Sequence, residues 1–94
     1  MSYSVLIVED DPMVSMINEQ YVLKGADFNI AGTCRNGNEA IEFLKSHTTD
    51  LILLDVYMPV MDGIAVLKKI REMKIPSEVI MITAANDTTT IEQT

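Results

Sequence analysis

Three aliphatic runs in this sequence stop at polar side chains that could do chemistry. Residues 5–8 are followed by Glu9 and Asp10, residues 51–54 by Asp55, and residues 79–82 by Thr83. An unbroken apolar run of this length is typical of a strand buried in a parallel sheet. Because parallel strands end at the same edge of a sheet, we expect these polar groups to converge in one crevice.

The three carboxylates of this set define the chemistry that the crevice could support. Packed together they repel one another, so a hard cation is needed to neutralise them, and oxygen ligands with open positions suit Mg²⁺ or Mn²⁺. A carboxylate held against such a cation can attack a phosphoryl group and form an acyl phosphate. The spacing therefore allows metal-assisted phosphoryl chemistry at this edge, and it leaves Asp55 as either a helix cap or part of the site.

Helix signals separate the apolar runs. Asp11–Pro12 predicts an N-cap followed by proline in the first turn, and the helix is expected to end near Gly25. Its apolar residues keep helical spacing and are Met13, Val14, Ile17 and Tyr21. Met13, Met16 and Ile17 could belong to the core or meet a partner protein. Residues 27–33 predict an edge strand.

The second half of the chain repeats this alternation. Asn36 and Glu39 have capping-box spacing and predict a helix that ends near residues 46–47. A loop to Gly63 follows the central strand, a third helix is expected over residues 64–73, and Asn86–Asp87 predicts the cap of a fourth helix. Strands alternating with helices predict a parallel sheet covered on both faces.

Composition limits the classes of function. The 94 residues suffice for one domain, and the net charge of −7 argues against direct contact with nucleic acid. A single cysteine, Cys34, fits a reducing compartment and an inert thiol. With neither a signal peptide nor an apolar run long enough to span a membrane, the expected location is the cytoplasm.

Taken together, these motifs resemble the receiver domain of two-component response regulators. The likeness is carried by residues 8–11, by 54–59 with 61–63, and by 82–84, each after an aliphatic strand. It implies an α/β fold, a flavodoxin-like doubly wound parallel sheet with strand order 2-1-3-4. It also implies that residues 1–94 are a receiver domain incomplete at its C-terminus, whose fifth strand, last helix and phosphoryl-binding lysine would follow Thr94.

The resemblance implies a role for each matching residue. Asp55 matches the phosphoacceptor, Asp10 the direct metal ligand, and Glu9 the acid that holds metal-bound water. Tyr57 matches the position whose backbone carbonyl reaches the metal. Thr83 matches the hydroxyl that contacts the phosphoryl oxygen in the switch, and Ala84 the small residue beside it. Asp11 is assigned only as the helix cap.

Partners also follow from the resemblance. It implies that a sensor histidine kinase donates the phosphoryl group and that the receiver switches its own output domain, expected to bind DNA and control transcription. The loop residues look similar to regulators paired with citrate and C4-dicarboxylate sensors. Self-phosphorylation would be stoichiometric rather than enzymatic turnover, and whether it drives homodimer formation is left open.

Three other functions are less consistent with the sequence. A Mg²⁺-dependent phosphohydrolase is disfavoured, because such enzymes usually carry a second Asp where Tyr57 stands. A receiver reduced to an interaction domain is disfavoured by the presence of all its carboxylates. A nucleotide-binding fold is the most distant, because no glycine-rich loop follows the first strand.

Overall fold

The computed structural model describes residues 2–55 and 63–82, which form alternating strands and helices. In chain order these elements are β1 (Tyr3–Val8), α1 (Pro12–Leu23), β2 (Phe28–Cys34), α2 (Gly37–Ser46), β3 (Leu51–Asp55), α3 (Gly63–Glu72) and β4 (Glu78–Ile82). Each predicted strand and each of the first three predicted helices is present, with ends shifted by one to a few residues. The predicted fourth helix lies outside the described residues.

The described strands form one parallel sheet in the order β2-β1-β3-β4, as predicted. The register pairs Val8 with Leu54 and Asp55 with Ile82, so β1, β3 and β4 end close to one another. The chain therefore brings the acidic residues after β1 and the acidic end of β3 to the same edge of the sheet. We call this the carboxyl edge, and the opposite one the amino edge.

The main core lies between the sheet and the helices α2 and α3. Side chains from the middle of the sheet pack there against one face of each helix, and its most deeply buried members are Leu6, Val8, Ala40, Ile52, Leu54, Val66 and Ile70. Phe43 on α2 packs against Gly32 on β2, where an added Cβ would stand 3.0 Å from the ring. The residue at position 32 must therefore be small for α2 to lie this close to the sheet.

The other face of the sheet is only partly covered by the described residues. There α1 contacts β1 and β2, but no described element covers the β3–β4 half. This leaves an open apolar cleft, lined by Val5, Tyr21, Val22, Gly25, Phe28, Leu51, Leu53 and Ile80. We call the part formed by the half-buried Leu53 and the exposed Ile80 the bare half-face. Ile80 is 50% exposed although it lies in a strand.

The helix α1 differs from expectation in the same region. None of its residues is buried, and its apolar stripe faces outward, with Tyr21 73% exposed. Met13, Met16 and Ile17 are also exposed, so the interpretation of these residues as core is wrong. Helical spacing correctly identified an apolar stripe, but spacing alone does not say whether a partner element lies against it.

The helix ends follow the predicted capping residues. Asp11 caps α1 and Asn36 caps α2, each accepting backbone N–H groups through a side-chain oxygen. The capping-box residue Glu39 accepts the N–H of Arg35 at 3.0 Å, one residue before the cap. The described parts of the chain contain no helix long and apolar enough to cross a membrane.

The amino edge is held by polar contacts at the opposite end of the strands from Glu9, Asp10 and Asp55. Asp50 accepts the backbone N–H of Ser4 at 2.8 Å, and the buried hydroxyl of Ser77 donates to the backbone carbonyl of Thr49. Arg71 at the end of α3 reaches the carbonyl of Ser77 at 3.3 Å. These bonds connect β1, β3 and β4 where the strands begin, and they fix the strand alignment that places Asp55 beside β1.

Candidate metal and phosphoryl site

Glu9 is positioned by the strand that precedes it and by the strand beside it. Residues 5–8 are almost fully buried, and the chain leaves the sheet only after Val8. The Glu9 N–H donates to the carbonyl of Cys34 at 2.9 Å, which continues the pairing of β1 with β2 by one residue. Glu9 consequently stays 6% exposed, an unusual degree of burial for a carboxylate.

Asp55 reaches the same place from β3. It is the last residue of that strand, and Leu54 before it pairs with Val8 before Glu9. Carboxylate oxygens of Glu9, Asp10 and Asp55 all lie within 4.8 Å of one another, and we call this group the carboxylate cluster. The predicted convergence of these three residues is thus present in the structure.

The cluster has a measurable electrostatic cost. Burial raises the pKa of Glu9, and hydrogen bonds with the side chains of Asp55 and Asp10 and the negative charge of Asp55 raise it further. The backbone N–H of Asp11 acts in the opposite direction, and the balance brings the pKa to about 7. Near neutral pH Glu9 is therefore partly protonated, which lowers the negative charge of the carboxylate cluster.

The donor set fits a hard divalent cation. Three carboxylates within 4.8 Å supply oxygen ligands only, and a cation at their centre would replace the proton that Glu9 otherwise retains. Asp10 is exposed and Asp55 half-buried, so the cluster is open toward solvent on one side. Mg²⁺ usually keeps several waters, and an open cluster leaves room for them.

The remaining predicted residues divide into two groups. Asp11 caps α1, with Oδ1 accepting from Met13 N at 2.9 Å, and it does not belong to the carboxylate cluster, as predicted. Tyr57, Thr83 and Ala84 lie outside the described residues, so their assigned roles stay predictions.

Cys34 helps to position Glu9, a role that the sequence did not indicate. Its carbonyl anchors Glu9, while burial, with a smaller effect from Glu39, raises the pKa of its thiol to about 11. The thiol is therefore protonated and unreactive at neutral pH, as predicted. The anchoring bond belongs to the backbone, so no side-chain motif could have revealed it.

Comparison with known proteins agrees with this geometry. The family model for the response regulator receiver domain matches residues 5–94. The protein named "Probable C4-dicarboxylate response regulator DctR" from Halalkalibacterium halodurans is 47% identical over 88 residues, covering 94% of this chain and 38% of its own length. The transcriptional regulatory protein CitT of the same organism is 43% identical over 93 residues, covering 97% of this chain and 40% of its own length.

A solved structure shows the same fold. The response regulator domain of Thermotoga maritima CheB superposes with a TM-score of 0.81 at 32% identity, covering 98% of this chain and 70% of that one. The strand order and the position of the carboxylate cluster agree with the family that the comparisons indicate. The chain belongs to the response regulator receiver domain family. It spans about two-fifths of the length of the curated relatives named above.

Proposed function

We propose that this chain accepts a phosphoryl group on Asp55 with the help of Mg²⁺ or Mn²⁺. The observation that supports the proposal is the convergence of Glu9, Asp10 and Asp55 oxygens within 4.8 Å at the ends of two neighbouring strands. A cation bound there would neutralise the phosphoryl oxygens as they approach the acidic residues.

The transfer itself requires little covalent chemistry from the protein. An oxygen of Asp55 attacks phosphorus and forms a P–O bond, while the bond from phosphorus to the donor breaks and the donor leaves with the electron pair. With a phosphohistidine the leaving group is imidazole, and with acetyl phosphate it is acetate. Positioning and charge neutralisation supply most of the rate in such reactions.

The other residues would hold the metal and the phosphoryl group. We assign Asp10 as a direct ligand, Glu9 as a ligand through water, and the backbone carbonyl of Tyr57 as a further ligand. We assign the Thr83 hydroxyl as the contact to the phosphoryl oxygen and Ala84 as the small residue that leaves space for it. These assignments follow the family pattern of the matching sequence positions.

The signalling context is proposed from the named relatives. DctR and CitT are named as a C4-dicarboxylate response regulator and a transcriptional regulatory protein. We propose that a sensor histidine kinase of the citrate or C4-dicarboxylate type phosphorylates this receiver, and that the phosphorylated state controls a DNA-binding output domain. Each molecule would take one phosphoryl group per signalling cycle rather than turn over a substrate.

The test is intact mass after incubation with acetyl phosphate and Mg²⁺. We expect the wild-type chain to gain the mass of one phosphoryl group, and Asp55→Asn to gain none because an amide is not a nucleophile at this pH. Asp50→Asn is the matched control, since Asp50 precedes the same strand at the amino edge and the amide keeps an acceptor oxygen for Ser4.

Three outcomes would contradict the assignment. A wild-type chain that gains no mass would mean that the carboxylate cluster does not support the transfer. Label that persists in Asp55→Asn would mean that another group accepts the phosphoryl. Label that disappears equally in Asp50→Asn would mean that its loss is not specific to Asp55.

A further inference from the structure

Asp11 makes two sets of hydrogen bonds that connect the start of α1 to the carboxylate cluster. Its Oδ1 accepts the N–H of Met13 at 2.9 Å and of Val14 at 3.5 Å, while its own N–H donates to Oε2 of Glu9 at 3.2 Å. The first set is an ordinary N-cap. The second ties one oxygen of the buried Glu9 carboxylate to the same residue.

The backbone of this turn is fixed from both sides. Pro12 restricts the residue before it to extended conformations, and Asp11 has φ −88° and ψ 115°. On the helix side, the carbonyl of Asp11 accepts the N–H of Ser15 at 2.9 Å. The direction of the Asp11 N–H is thus set by how α1 begins, and the side-chain cap acts together with Pro12 and the bond to Ser15 to hold that beginning in place.

From these contacts we infer that Asp11 is a positioning residue for the carboxylate cluster. Its side chain closes the first turn of α1, the closed turn aims its backbone N–H at Glu9, and this bond orients the Glu9 carboxylate toward Asp10 and Asp55. Asp11 acts through Glu9 and contacts neither metal nor phosphoryl group. The inference rests on the proposed function, because orientation of Glu9 matters only if the cluster binds a cation.

The second cap of the structure provides a matched control. Asn36 caps α2 by accepting the N–H of Glu39 at 2.9 Å, and no hydrogen bond joins Asn36 to the carboxylate cluster among the described residues. Removing either cap should lower the urea midpoint of unfolding by a similar amount. Only removal of the Asp11 cap should also change the affinity for Mg²⁺.

The experiment compares wild type with Asp11→Ala, Asp11→Asn and Asn36→Ala. Mg²⁺ affinity is measured by calorimetric titration, and the backbone amide proton shift of residue 11 is measured by NMR on the metal-free chains. We expect Asp11→Ala to weaken Mg²⁺ binding on the order of threefold to tenfold. This is less than the roughly 10–100-fold cost of losing a ligand's hydrogen-bond partner, because the backbone N–H of residue 11 remains. The residue 11 amide proton of this variant should also move upfield.

The conservative variant separates the cap from the charge. Asn is as good an N-cap as Asp, so Asp11→Asn should keep both the affinity, within about twofold, and the amide shift. Asn36→Ala should change neither.

Failure of this inference is distinguishable from failure of the proposed function. If the wild-type chain takes a phosphoryl group but Asp11→Ala binds Mg²⁺ as tightly as Asn36→Ala does, Asp11 is only a cap and the inference is overturned. An Asp11→Asn variant that behaves like Asp11→Ala would overturn it as well, because the charge and not the turn would then matter. A wild-type chain that neither binds Mg²⁺ nor gains mass overturns the proposed function, and the amide shifts then decide whether Asp11 orients Glu9.

Discussion

Glu9 is the side chain whose chemistry depends most on its neighbours. Alone after a strand it would be an ordinary surface acid, but here the bond from its N–H to Cys34 keeps it in the sheet, and Asp55 and Asp10 surround its carboxylate. Burial and these neighbours raise its pKa to about 7. Near neutral pH a proton and a cation would therefore compete for the Glu9 carboxylate.

This raised pKa predicts a pH dependence of stability. The Glu9 pKa is 4.5 in a model peptide and about 7 in the folded chain, so the folded state binds more protons than the unfolded state between these values. The contribution of Glu9 is fully present below pH about 4.5 and is lost as pH rises through about 7. We expect the free energy of unfolding of the metal-free chain to fall as the pH rises from about 4.5 to about 7.

Urea unfolding as a function of pH would measure the effect. Glu9→Gln should flatten the decline, whereas Glu72→Gln, at an exposed position at the end of α3, should not. Saturating Mg²⁺ should also reduce it, because the cation replaces the proton. A wild-type decline that Glu9→Gln leaves unchanged would assign the proton to another group.

The helix α3 ends in a backbone arrangement that its sequence does not favour. Ile75 N–H bonds to the carbonyl of Ile70 at 3.2 Å and Lys74 N–H to that of Arg71 at 3.1 Å, which is the Schellman pattern. The pattern needs a left-handed residue at the position after the cap, and Lys74 occupies it with φ 57°. Glycine is the residue that usually stands there.

We therefore predict that Lys74→Gly stabilises the chain. Relief of the left-handed strain should outweigh the larger backbone entropy of glycine in the unfolded state and raise the free energy of unfolding by about 0.5–1 kcal/mol. Lys24→Gly is the control, because Lys24 follows α1 with a right-handed φ of −67°. That change should destabilise the chain, with a small added loss from the contact of Lys24 with the Tyr21 ring. Thermal unfolding would show whether the melting temperature rises in Lys74→Gly and falls in Lys24→Gly. A destabilised Lys74→Gly variant would refute the argument.

Most elements could be predicted because local signals agreed with one another. The apolar runs before Glu9 and Asp55 identified two central strands, and Asp11–Pro12 identified the start of α1. The left-handed Lys74 could not be predicted, since its conformation results from the way α3 joins β4 rather than from the residue type. The anchoring of Glu9 by Cys34 was equally invisible, because it depends on strand register.

The whole sheet is asymmetric in how its two faces are covered. The face toward α2 and α3 is closed, while Leu53 and Ile80 form the bare half-face beside α1. Hydrophobic periodicity marked the side chains of both faces as apolar, and it could not report that no described element covers one half. Within residues 2–55 and 63–82, the predicted coverage of both faces is therefore found except over this half.

A matched pair of substitutions tests this asymmetry. Ile52 is fully buried in β3 and Ile80 is 50% exposed in β4. We expect Ile52→Ala to lower the free energy of unfolding by about 2–5 kcal/mol, and Ile80→Ala by less than about 1 kcal/mol, because little apolar surface is lost from the interior at an exposed site. Denaturant unfolding would compare the two. Equal losses would mean that the bare half-face is covered in solution.

The separation of the two sheet edges makes this domain convenient for spectroscopic labelling. The carboxylate cluster occupies the carboxyl edge, while the turn before β3 at the amino edge carries the exposed residue Thr48. Cys34 is buried and its thiol pKa is about 11, so it should resist maleimide reagents in the folded chain. A fluorophore attached through Thr48→Cys would therefore mark a single site, away from the carboxylates, without first removing the native cysteine.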